Sequence, residues 1–79
     1  MKRKLNEIAR DIKEAWPRPY TGASPYLEAM LTIDSASPDA PYYFEDAKTI
    51  VMYFLANAST FRGPKARALK KELKTNYNL

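Results

Sequence analysis

The sequence contains no cysteine and no histidine, and only two glycines in 79 residues. Without cysteine there is no disulfide to staple a small fold and no thiolate to hold zinc. Without histidine, the commonest metal ligand and the usual general base near neutral pH are both missing. Gly22 and Gly63 stand alone, so there is no glycine-rich phosphate loop. No run of about 18 apolar residues occurs, which excludes a membrane-spanning helix. The N-terminal segment MKRKLNEIARDIKEAW begins basic, as a secretory leader does, but charges interrupt every turn. A cytoplasmic protein is expected.

Asp34 and Glu45 have the spacing of the first and twelfth ligands of a calcium loop. The positions between them fail: Ala36 and Pro38 replace ligands, and Asp39 stands where glycine is required. Neither a metal nor a cofactor is expected. Glu45 and Asp46 are of the right type for acid–base chemistry, but the start of a helix explains them, since its dipole favours negative charge. No catalytic residue is assigned, and an enzyme is not expected.

What is present is a hydrophobic content of 46%, enough for a core and too much for a disordered chain. One domain over residues 1–79 is expected, of a size whose core supplies roughly 3–5 kcal/mol. Monomer and homo-oligomer both stay open. The periodicity predicts four helices and no strand, an all-α compact bundle. The first spans 2–16, with Met1, Leu5, Ile8, Ala9, Ile12, Ala15 and Trp16 on one face and Arg3–Glu7 and Arg10–Glu14 pairs on the other. Pro17 and Pro19 stop it. The second spans 25–34, capped by Ser24, with Pro25 in its first position and little polar surface. The third spans 43–59. Its broad apolar face of Phe44, Ala47, Ile50, Val51, Phe54, Leu55 and Ala58 predicts a buried hub. The fourth spans 64–76, after Gly63, with a narrow stripe of Ala66, Leu69, Leu73 and Tyr77.

Charge is unevenly placed. The net charge is +4, yet residues 17–60 hold two basic and five acidic side chains, whereas 61–79 hold six basic and one acidic. All six lie between Arg62 and Lys74: Arg62, Lys65, Arg67, Lys70, Lys71 and Lys74. At 100° per residue, Arg67, Lys70, Lys71 and Lys74 share an arc of about 100° facing away from the core. Lys65 and Glu72 lie on a separate flank. Such a stripe suits phosphate contact, so these six residues are the candidate nucleic-acid-binding set. Few Asn, Gln, Ser or Thr accompany them to read base edges, which favours phosphate-dominated over sequence-specific binding. The competing reading is a solvated basic face or a contact with an acidic protein.

A second surface is suggested by three Pro-Tyr pairs, Pro19-Tyr20, Pro25-Tyr26 and Pro41-Tyr42, with Trp16, Tyr43 and Phe44 beside them. Tyr and Trp bury much area at low entropic cost, which suits interfaces. Trp16, Tyr20, Tyr42 and Tyr43 are therefore the candidate protein-interaction set, on a surface where the loops 17–25 and 35–43 meet. The alternative is that these aromatics close the ends of a small core.

The segments LNEIARDIKEAWPRPYTGASPYLEAML and AKTIVMYFLANASTFRGPKARALKKELK resemble small bacteriophage-encoded proteins of unassigned function, particularly from phages of actinobacteria and related hosts. The likeness covers most of the chain and lies in its overall wording. No catalytic or binding motif defines the group, so no functional residue is carried over. The resemblance implies expression in a bacterial host cytoplasm during infection or from a prophage. It also implies a host or phage protein, or a nucleic acid, as partner.

Overall fold

Leu5, Ile8, Ala9 and Ile12 repeat at helical spacing, and each is completely buried. They form the inner face of α1 (Leu5–Ala15) in the computed structural model, which describes residues 2–79. Met1, expected on the same face, lies outside the described residues. The helix begins at Leu5 instead of residue 2 because its first donors are satisfied from elsewhere. The Leu5 N–H donates to the Ser35 carbonyl at 2.8 Å and the Asn6 N–H to that of Ile33 at 3.0 Å. A helix leaves its first four N–H groups unpaired, and the extended 33–35 segment supplies two acceptors. Glu7 reaches back to accept from the Lys4 N–H at 3.0 Å, half of a capping box. Glu7 therefore does not pair with Arg3, and no Arg10–Glu14 pair forms among the described residues.

The second helix, α2 (Ser24–Leu31), takes Ser24 inside its first turn instead of using it as a cap. The Tyr20 carbonyl accepts from both Ala23 and Ser24 N–H, so a turn runs directly into the helix. Leu27, Ala29, Met30 and Ile33 are buried, with Tyr26 and Leu31 half-buried beside them. The helix stops at Leu31, short of residue 34, because 33–35 is drawn out to meet α1.

The largest difference from the expected all-α fold lies at 41–46. Pro41–Tyr42 (β1) and Glu45–Asp46 (β2) pair antiparallel, with Tyr43 and Phe44 as the two-residue turn. Tyr43 has φ +56°, the sign a primed hairpin turn needs at its first central position. Helix α3 (Ala47–Ala56) starts only after the hairpin. Its cap is Asp46, which accepts from the Thr49 N–H at 2.9 Å and the Thr49 hydroxyl at 2.7 Å. These bonds hold the Asp46 carboxyl below its ordinary pKa. A side chain committed to capping ends the strand and begins the helix, so the apolar pattern from Phe44 onward does not extend the helix backward.

Helix α4 (Pro64–Asn76) closes the structure. α1 packs against both α2 and α4, and α3 packs against α2 and the hairpin. α1 and α2 each pack against two other helices, whereas α3 packs chiefly against one helix and the hairpin. On α3, Ala47, Ile50, Val51 and Phe54 are buried, but Met52 and Tyr53 remain 45% and 42% exposed.

Tyr77, just past α4, is fully buried, yet its hydroxyl has no partner among the described residues. Burial raises its pKa. A buried hydroxyl without a partner costs about 1–3 kcal/mol of desolvation. Tyr77→Phe is therefore expected to raise unfolding stability by about 1 kcal/mol in urea denaturation at pH 7. In the wild type, stability falls as pH rises past the ordinary tyrosine value of 10.0, because only the unfolded chain ionises freely. That fall should be smaller in Tyr77→Phe, and an unchanged profile would contradict the burial argument.

Candidate nucleic-acid interface

The basic surface is built on α4. Ala66, Leu69, Leu73 and Asn76 turn inward, which commits the remaining positions to solvent. Gly63 caps the helix start with φ +110° and ψ 172°, a combination open to glycine alone. Its carbonyl accepts the Arg67 N–H at 2.9 Å, and no side chain caps the first turn. At the other end Asn78 takes φ +57°, and the Leu79 N–H returns to the Lys74 carbonyl at 2.8 Å, closing a Schellman-type end. The backbone thus sets both ends of the helix and leaves its outer side chains unconstrained.

Arg62, Lys65, Arg67, Lys71 and Lys74 are exposed, and Lys70 is half-buried. None of the six joins an ion pair among the described residues. The one acidic residue of α4, Glu72, is taken from outside the helix. Arg3 donates to it through Nε at 2.9 Å and Nη2 at 2.8 Å, and to Asp11 through Nη1 at 2.7 Å. Glu72 and then Asp11 push the Arg3 pKa further above its ordinary value. At this exposure the pair is worth about 1 kcal/mol at most. Its electrostatic consequence is larger: the only carboxylate on α4 is neutralised without using any of the six cations.

Three of the six converge. Arg62, Arg67 and Lys70, with Phe61 and Gly63, line an open hollow of about 290 Å³. Lys70 Nζ stands 5.7 Å from the Phe61 ring centroid. Burial lowers the Lys70 pKa, and the charges of Lys74 and Arg62 lower it further. Lys74 thus adjoins the cluster, one turn beyond Lys70. Lys71 is displaced around the helix, and Lys65 lies on the Glu72 flank without lining the hollow.

Phe61 was not legible as part of this site. It lies in the 57–63 connector, is only 3% exposed, and stacks on Trp16 with ring centroids 4.9 Å apart. The available signal was a lone large apolar residue just before Arg-Gly-Pro. Trp16 also meets Phe54 edge-on at 6.3 Å, so it seals the core at the C-terminal end of α3. Tyr20 is 56% exposed and crosses Gly22 near the same end, where a Cβ on Gly22 would come within 2.6 Å of the Tyr20 ring and 2.9 Å of Asn57. Tyr42 and Tyr43 contact each other edge-on at 4.8 Å in the hairpin, at the opposite end of α3. Ten helical residues separate the two ends, about 15 Å. Trp16 and Tyr20 therefore stand at one end of α3, and Tyr42 and Tyr43 at the other.

The connector between α3 and α4, residues 57–63, is longer than the three- to four-residue turn of a DNA-binding helix-turn-helix. No family model, curated protein or solved structure matches the chain. What the site offers chemically is concentrated positive charge over an apolar floor. Removing one of the neighbouring cations tests that cluster directly. Lys74→Gln should raise the Lys70 pKa part of the way toward its ordinary value, with burial and the charge of Arg62 holding back the rest. Side-chain NMR titration of the lysines reads this, and an unmoved Lys70 would separate the two charges.

Proposed function

We propose that this protein is a non-enzymatic binding protein that takes up nucleic acid or a related polyanion through α4, by phosphate contact. The observation that supports this most strongly is that none of Arg62, Lys65, Arg67, Lys70, Lys71 and Lys74 joins an ion pair among the described residues, with Glu72 held by Arg3. Cations packed together without counter-charges gain from an anionic strand, which also releases the counterions condensed on it. We read the four helices as a single bundle over residues 1–79 that carries this face, in a bacterial cytoplasm.

The test is fluorescence anisotropy with mixed-sequence oligonucleotides across a salt series. Four to six phosphate contacts predict a slope of log K against log salt of roughly −3 to −5. Joint substitution Arg67→Glu, Lys70→Glu, Lys71→Glu and Lys74→Glu should abolish binding while circular dichroism keeps its helical signal. Unchanged affinity in that folded variant would reject the proposal.

A second reading rests on the hairpin tip. Tyr43 is 87% exposed and Phe44 fully exposed, side by side on a turn whose positive φ at a tyrosine costs about 1–2 kcal/mol. This favours self-association through the tip. Sedimentation velocity of Tyr43→Gly with Phe44→Ser decides it: the pair should dissociate any oligomer the wild type forms, and a monomeric wild type ends that reading.

A further inference from the structure

We infer that the hollow lined by Phe61, Arg62, Gly63, Arg67 and Lys70 receives the terminal phosphate of a nucleic-acid strand. This rests on the polyanion reading above and narrows its ligand to a chain end carrying a phosphomonoester.

The first ground is charge density. An internal phosphodiester carries one negative charge, whereas a phosphomonoester carries close to two at neutral pH, with a second pKa of about 6. Three cations meet at one hollow of about 290 Å³ with no acidic residue in its lining. Burial lowers the Lys70 pKa most, and repulsion from Lys74 and then Arg62 lowers it further. A dianion relieves that repulsion more fully than a monoanion.

The second ground is donor geometry. Arg62 Nε donates to the Ser59 carbonyl at 3.2 Å, which anchors the guanidinium and leaves its terminal nitrogens without a protein acceptor among the described residues. The Arg67 guanidinium donates to no side chain or carbonyl among the described residues. Two forked donors and one ammonium match the three peripheral oxygens of a terminal phosphate, where an internal phosphodiester presents only two unesterified oxygens.

The third ground is what the floor excludes. Phe61 could stack a base only if a ring face were free. One face is covered by Trp16, nearly parallel at 12°, and Lys70 stands over the ring as well. The hollow therefore recognises phosphate and not base. Lys74, one turn on from Lys70, and Lys71 beside it are placed to meet the following phosphodiesters.

The experiment compares one single-stranded 12-mer in three forms, with a 5′ phosphate, a 3′ phosphate, or hydroxyls at both ends, by anisotropy against the full chain at low salt and pH 7.5. A terminal phosphate should tighten binding roughly tenfold, the effect of one additional charge-assisted contact. The end that produces the gain sets strand polarity. Arg67→Gln should weaken binding of all three forms and abolish the difference between the phosphate-ended and hydroxyl-ended strands. Lowering the pH to 5.5, where the phosphomonoester loses its second charge, should shrink the gain in the wild type. Equal affinity for all three forms would overturn this inference and leave the polyanion reading standing. Failure of every form to bind at low salt would reject both.

Discussion

The guanidinium of Arg3, held between Glu72 and Asp11, joins the start of the chain to its end. Its energetic contribution is modest, because all three side chains touch solvent. Its placement matters more. With Leu5 and Asn6 N–H groups fastened to the 33–35 carbonyls, the chain start is fixed over α4 and beside the segment that follows α2. α1 is thereby set between α2 and α4. The same contact removes Glu72 from the electrostatics of α4, so one interaction near the N-terminus determines the field at the C-terminal helix.

Backbone sign constrains the rest. At Gly63 the chain turns through a conformation that side chains exclude, and this aims the first turn of α4 beside Phe61. At Asn78 a left-handed residue closes the same helix, a role its short polar side chain tolerates. Tyr43 is the exception, since a bulky residue holds a positive φ there with its ring in solvent. Strain of that kind persists only where the surroundings impose it. Here the paired strands and the Asp46 cap impose it.

The core of α1 and the inner stripe of α4 could be read from spacing alone. Leu5, Ile8, Ala9 and Ile12, and likewise Ala66, Leu69 and Leu73, stand at intervals that only one helix face reconciles. The basic set was equally plain, because charge needs no contact map. The region 41–46 was not. Its apolar residues continue the helical pattern of α3, and that run outweighs the local cap signal of Asp46 three residues before Thr49. Phe61 was overlooked for a related reason: a single aromatic in a connector has no period, and its burial depends on Trp16, forty-five positions earlier.

The sequence by itself determined where helices could form, that no disulfide or thiolate centre exists, and that six cations gather between residues 62 and 74. Those properties follow from local spacing and from composition. Tertiary structure alone decided that α1 packs between α2 and α4, that Trp16 and Tyr20 stand at the opposite end of α3 from Tyr42 and Tyr43, and that Arg62, Arg67 and Lys70 converge over Phe61. Each of these depends on which distant backbone and side-chain groups satisfy one another. A hydrogen bond or stacked ring between residues tens of positions apart leaves no periodic trace along the chain.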